Sequence, residues 1–117
     1  MRAFFVACAL IFLAQPAVAK DARVIEIATV ILKPGVTPEA FAKVDQAVER
    51  EHVNKQPGFV SRKTALNGRT WLVIVHWRSA KDAEASMASF SKAPAAAKFM
   101  SMIDASSMRM TRYDVIR

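Results

Sequence analysis

Asn67-Gly68-Arg69-Thr70-Trp71-Leu72-Val73-Ile74-Val75-His76-Trp77 is the stretch that decides the fold. Asn-Gly is a strong hairpin signal, because both residues tolerate the positive φ of a type I′ turn. The run Thr70 to Trp77 behind it is rich in β-branched and aromatic residues, so it reads as a strand antiparallel to whatever precedes the turn. Side chains alternate across a strand. Trp71, Val73, Val75 and Trp77 therefore share one face, and Leu72, Ile74 and His76 the other. Both faces are apolar, so both need cover.

Working outward, Phe59 to Leu66 supplies the strand before the turn, and Val24 to Leu32 (VIEIATVIL) a first strand ended by the turn Lys33-Pro34-Gly35. Thr37-Pro38-Glu39 opens a helix with a hydroxyl cap, a proline at its first position and an acid at the positive end of the dipole. Phe41, Val44 and Val48 recur along it at helical spacing, with His52 near the same face as an exposed residue at the negative end of the dipole, until Gln56-Pro57-Gly58 stops it. Ser79, with Asp82 three residues later, caps a second helix whose Ala83, Met87 and Phe90 form an apolar face. Pro94 opens a short third helix with Phe99 and Ile103 toward the core, and Ser107 to Ile116 closes the chain as a fourth strand. The order βαββαβ is the ferredoxin-like α+β arrangement. Two helices cover one side of such a sheet. The other face is expected to be covered by a second copy of the chain, giving a homodimeric α+β barrel.

The first nineteen residues stand apart. Arg2, the apolar run Ala3 to Ala14, Pro16 and the small triplet Ala17-Val18-Ala19 have the layout of a secretory signal cut after Ala19. Residues 1–19 are thus expected to be a signal peptide and 20–117 one domain, exported and periplasmic or secreted. The apolar run is too short to span a bilayer, so no stable membrane insertion is expected after cleavage. Cys8, the chain's single cysteine, leaves with the signal, which excludes disulfides and thiolate chemistry from the mature protein. Loss of Arg2 lowers the formal net charge from +7 to +6, and the basic residues are scattered with no aromatic-interleaved stripe, so nucleic acid is not an expected partner. Gly-rich phosphate loops, G-x-S-x-G, H-E-x-x-H and EF-hand patterns are absent from the sequence.

Several motifs carry a family resemblance: ILKPG (Ile31 to Gly35), QPGF (Gln56 to Phe59), HWRS (His76 to Ser79) with DAEASM (Asp82 to Met87), and the closing FMSMID…SMRMTRYDV (Phe99 to Val115). With them the chain resembles the antibiotic biosynthesis monooxygenase-like family of the dimeric α/β-barrel superfamily, over nearly the whole of residues 20–117. The resemblance implies a pocket between the helices and the concave sheet face. It also implies oxidation of phenols or quinols by molecular oxygen with no bound cofactor. Catalytic members often carry an acid two residues before the third-strand tryptophan and a histidine in the following helix. Those positions are Val75 and Met87 here, and neither moves a proton.

Cofactor-free oxygenation needs a group that stabilises the deprotonated substrate and a cavity that excludes water. Glu26 and His76, on strands expected to be central neighbours, are the candidate catalytic pair, His76 for its intrinsic pKa and Glu26 as an acid in an apolar strand. Trp71 and Trp77 are candidates for stacking on a planar ligand, and Arg62, Arg109, Arg112 and Tyr113 for meeting its anionic or phenolic oxygen. Two other readings stand beside this one. A barrel of this kind can bind a small hydrophobic or aromatic ligand without transforming it. Met108 and Met110, on one strand face, offer thioethers to Cu(I), although methionine is ordinarily a core filler and no metal site is expected.

Overall fold

The computed structural model describes residues 22–116, and the signal-peptide reading lies outside the described residues. Strands β1 (Val24–Leu32), β2 (Phe59–Asn67), β3 (Thr70–Trp77) and β4 (Ile103–Asp114) alternate with helices α1 (Pro38–Glu51), α2 (Ala80–Ser89) and α3 (Ala96–Ser101). They form one antiparallel sheet in the order β2-β3-β1-β4, with β3 and β1 at its centre. This is the ferredoxin-like α+β fold expected from the sequence. Among the described residues no helix is long and apolar enough to cross a membrane.

The caps explain where the helices begin. Thr37 Oγ1 accepts from the Ala40 amide at 3.1 Å, and Ser79 Oγ accepts from the Asp82 amide at 3.1 Å while donating to its carboxylate at 2.9 Å. From α1, Phe41 and Val48 enter the core, as expected. Phe41 meets the Trp71 ring edge-on at a centroid distance of 4.9 Å and packs against Phe99 at the same distance.

Two local expectations are corrected. The hairpin loop is Gly68-Arg69 and not Asn67-Gly68: Asn67 pairs with Thr70 inside the ladder, and only Gly68 has a positive φ, +61°. Those signs are of type II′, with glycine leading. Arg69 decides the shift. Its amide carbonyl accepts from Leu32 N at 2.9 Å, and its guanidinium donates to the carbonyls of Lys33 and Val36, tying the hairpin to the β1–α1 turn. The last strand starts at Ile103, four residues before the expected Ser107, so Ile103 is a strand residue opposite Leu32 and not a helical one. The polar run Asp104 to Ser107 hides this start. The ladder is irregular there, and Ser107 Oγ replaces a backbone acceptor by taking the Ile31 amide at 2.8 Å.

The sheet's two faces differ in cover. Trp71, Val75, Trp77, Val24, Val30 and Leu32 are buried under the helices. On the opposite face Ile25, Ile27, Leu72 and Ile74 are only half-buried and Ile31 is exposed.

Candidate functional site

Between the helix-covered sheet face and the three helices lies a cavity of about 230 Å³. Its floor is Val73 and Val75 of β3 with Glu26, Ala28 and Val30 of β1, and its roof comes from Val48, Val53, Ser86, Met87, Phe90, Phe99 and Met100. Apart from Glu26, Arg62 and Ser86 the lining is apolar. An apolar cavity of ~150 Å³ takes up benzene, so this one has room for one or two fused rings.

The register sets its polar groups in a single row. Arg62 of β2 pairs with Val75, Val75 with Glu26, and Glu26 with Arg112 of β4. Glu26 is buried, and its Oε2 accepts from Arg112 Nε at 2.7 Å. Its Oε1 has no hydrogen-bond partner among the described residues and is not sealed from solvent, which leaves one carboxylate oxygen free at the cavity floor. At the other end of the row, Arg62 donates from Nη1 and Nη2 to the two carboxylate oxygens of Asp45, both at 2.7 Å, with Glu49 Oε2 3.6 Å from Nη1. The side chains of Arg62 and Asp45 are only 4% and 3% exposed.

The candidate residues of the sequence divide accordingly. Glu26 and Arg62 reach the cavity together. His76 does not: it faces Ser61 on the opposite side of the sheet, its Nδ1 3.2 Å from the Ser61 hydroxyl, so the Glu26–His76 pair is split by the strand alternation that separates neighbours in register. Trp71 and Trp77 share the helix-covered face but lie outside the cavity lining as buried core, where Trp77 meets Phe59 edge-on. Their size fills the two ends of β3 and leaves Val73 and Val75 as the ligand-accessible floor. Tyr113, opposite Ile25 on the uncovered face, is 53% exposed and far from any role in the cavity, and Arg109 lies on that face too. Of the basic residues on β4 only Arg112 belongs to the site, through Glu26. Met108 lines the cavity but Met110 is exposed outside it; the sulfur residues that do converge are Met87, Met100 and Met108, from α2, α3 and β4. Among the described residues no cluster of three or more His, Cys, Asp or Glu is arranged to hold a metal ion.

His52 is a correction as well. It is buried, not exposed, and its Nε2 lies 2.8 Å from the Ser89 hydroxyl while Nδ1 is buried without a partner. Burial pushes its pKa below the ordinary value, because the charged ring would lose its hydration there.

Asp45 is the site residue that the sequence reading passed over. Its signal was present: with Phe41 and Val48 it occupies the i, i+4, i+7 stripe that faces the core, a place where an unpaired acid is not tolerated.

No protein-family model matches the sequence, and no curated protein does. Solved structures do match. SnoaB, a cofactor-independent oxygenase from Streptomyces nogalater, superimposes with a TM-score of 0.67 at 14% identity, over 82% of this chain and 95% of that one. The Streptomyces coelicolor monooxygenase ActVA-Orf6, in complex with nanaomycin D, gives 0.66 at 12% identity over 84% and 91%. A candidate antibiotic biosynthesis monooxygenase from Caulobacter crescentus gives 0.66 at 16% identity over 82% and 92%. The chain therefore has the fold of the antibiotic biosynthesis monooxygenases, in agreement with the motif resemblance.

Proposed function

We propose that the chain is an exported, homodimeric, cofactor-independent monooxygenase acting on a quinol or similar phenolic ring. The observation that carries this reading is the Glu26 carboxylate, held by Arg112 through one oxygen and free through the other, on the floor of an otherwise apolar cavity. A phenolic hydroxyl next to Oε1 gives its proton to Glu26. The resulting phenolate is electron-rich enough to reduce oxygen directly, and the apolar walls keep water from protonating it again. Where the ring carries a CH₂ activated by that phenolate, the CH₂ becomes a carbonyl: one oxygen atom stays on the ring, the other leaves as water, and the substrate supplies all four electrons.

The fold shared with SnoaB and ActVA-Orf6 supports this chemistry. Export rests on the signal-like residues 1–19, and dimerisation on the apolar sheet face that the helices leave uncovered. Oxygen-electrode measurements with a panel of one- and two-ring quinols and phenols test the activity. Glu26-dependent oxygen uptake with an oxygenated product is expected; absence of uptake across the panel removes the enzymatic reading.

A second reading has its own observation. Val75 and Met87 both line the cavity, at the positions where catalytic relatives often carry an acid and a histidine. In that reading the protein binds its ring compound and returns it unchanged. Native mass spectra of the chain from periplasmic extract distinguish the two: a retained, unoxidised aromatic adduct with no oxygen uptake favours binding, and a copper adduct would point to Met87, Met100 and Met108 instead.

A further inference from the structure

We infer that Arg62, held by Asp45, is an oxygen-recognition subsite at one end of the cavity, taking a carbonyl or phenolate oxygen of a ring compound seated over Val75. The inference deepens the proposed function and rests on the cavity being a ligand site, but not on any turnover there.

A buried ion pair is a costly way to hold a helix on a sheet. Taking both charges out of water is expensive, and apolar residues of similar volume often do as well or better. Here the pair joins α1 to the edge strand β2 and sets Arg62 in the wall of a cavity that is otherwise almost wholly apolar. Asp45 occupies both terminal nitrogens of Arg62, which fixes the plane of the group. Arg62 Nε remains, buried and with no acceptor among the described residues. A buried donor without an acceptor is unfavourable, and Nε is closed to a water-sized probe, so a ligand oxygen reaches it only by displacing the lining beside it and is then bound by a group already oriented for it.

The register gives the ligand its polarity. Arg62, Val75 and Glu26 are successive partners across β2, β3 and β1. Two interstrand spacings put the backbones of Arg62 and Glu26 about 10 Å apart, with Val75 between them. A ring lying on Val75 has a donor at one end and the free Glu26 oxygen, an acceptor, at the other. The site thus discriminates among compounds of one size by where their oxygens lie. Arg62 is the specificity-determining residue, and Asp45, which does not line the cavity, is a positioning residue.

The experiment is titration calorimetry with 1-tetralone and its oxygen-free counterpart tetralin, two fused-ring probes of nearly equal shape. Water solvates the ketone better, so tighter binding of the ketone requires a donor in the cavity. The wild-type chain is expected to bind 1-tetralone about ten-fold or more tightly than tetralin, as a hydrogen bond to a charged group implies. Arg62→Met together with Asp45→Leu removes both charges at once and leaves no orphan, and there tetralin is expected to bind more tightly. Arg62→Lys keeps a charged pair with Asp45 but has no Nε–H, and is expected to lose the ketone preference too, so the result does not hang on the double variant folding. A preference for 1-tetralone that survives both Arg62 replacements overturns the inference, as does a wild-type chain that binds tetralin more tightly or binds neither probe. Ketone selectivity without oxygen uptake would support the subsite while removing the oxygenase reading, so the two fail separately.

Discussion

Glu26 and His76 stand one step apart in register on the two central strands, Glu26 opposite Val75 and His76 opposite Ile25, and their side chains leave the sheet on opposite faces. Only Glu26 meets the cavity. Glu26→Gln keeps the shape of the side chain and its ability to accept from Arg112, but removes the base. It is expected to lower kcat/KM for a phenolic substrate by about 10²- to 10³-fold, the usual worth of a positioned proton acceptor. His76→Asn is expected to leave kcat/KM unchanged. Steady-state oxygen uptake of the two variants checks the assignment; equal losses would return His76 to the chemistry and sink the assignment to Glu26 alone.

The contrast shows what was legible in the sequence. Element order, both helix caps and the pairing of β2 with β3 follow from local signals: Thr37-Pro38, Ser79 with Asp82, and the glycine after Asn67. The site needed more. Whether Glu26 and His76 share a face depends on the registry of β1 against β3, two strands joined through a helix and another strand, and no turn between them sets it. The Asp45–Arg62 pair was hidden for a similar reason. Each residue is unremarkable in its own element, and only tertiary packing brings α1 over β2. The irregular start of β4 was hidden because a serine side chain does the work of a backbone acceptor there.

Gly58 shows how closely the loop before β2 approaches α2. Its φ is +80°, and a Cβ built on it would lie 2.1 Å from Asp82 Oδ2 and 2.6 Å from Asp82 Cβ. Asp82 is also the residue engaged by the Ser79 cap. Gly58→Ala is expected to destabilise the fold by about 2–3 kcal/mol, from left-handed backbone strain and disturbance of that cap. Adding Asp82→Ala recovers only part of the loss, because the Asp82 Cβ position and the positive φ both remain. Urea unfolding of the single and double variants gives the comparison; full recovery would show that the carboxylate alone was at fault.

His52 makes stability depend on pH. Burial lowers its pKa in the folded state, so the folded chain resists a proton that the unfolded chain accepts below its ordinary value of 6.5. The contribution is therefore complete above about pH 6.5 and is lost as the pH falls from there toward the folded-state pKa. Protonation also acts on the Ser89 contact that links the end of α1 to α2 beside the cavity. His52→Gln keeps a hydrogen-bonding group toward Ser89 without the titration, and is expected to flatten the dependence. Urea midpoints between pH 7.5 and 5 report it, and a wild-type profile already flat over that range would rule out His52 as its source.

The uncovered sheet face carries the last prediction. Ile27 of β1 and Ile74 of β3 are direct cross-strand partners at its centre, flanked by Ile25 and Leu72, while Lys63 of β2 and Arg109 and Tyr113 of β4 lie toward its edges. An apolar centre with a polar margin suits a second copy packed sheet to sheet, and such a pairing would bury these isoleucines and leave the helix-lined cavity of each copy open. Ile74→Lys puts a like charge from each copy near the centre of that contact and leaves the helix-covered core untouched. Sedimentation velocity across a dilution series should find the wild type as a dimer and Ile74→Lys as a folded monomer. A wild type that sediments as a monomer throughout, or a variant that stays dimeric, would mean that this face does not pair with itself.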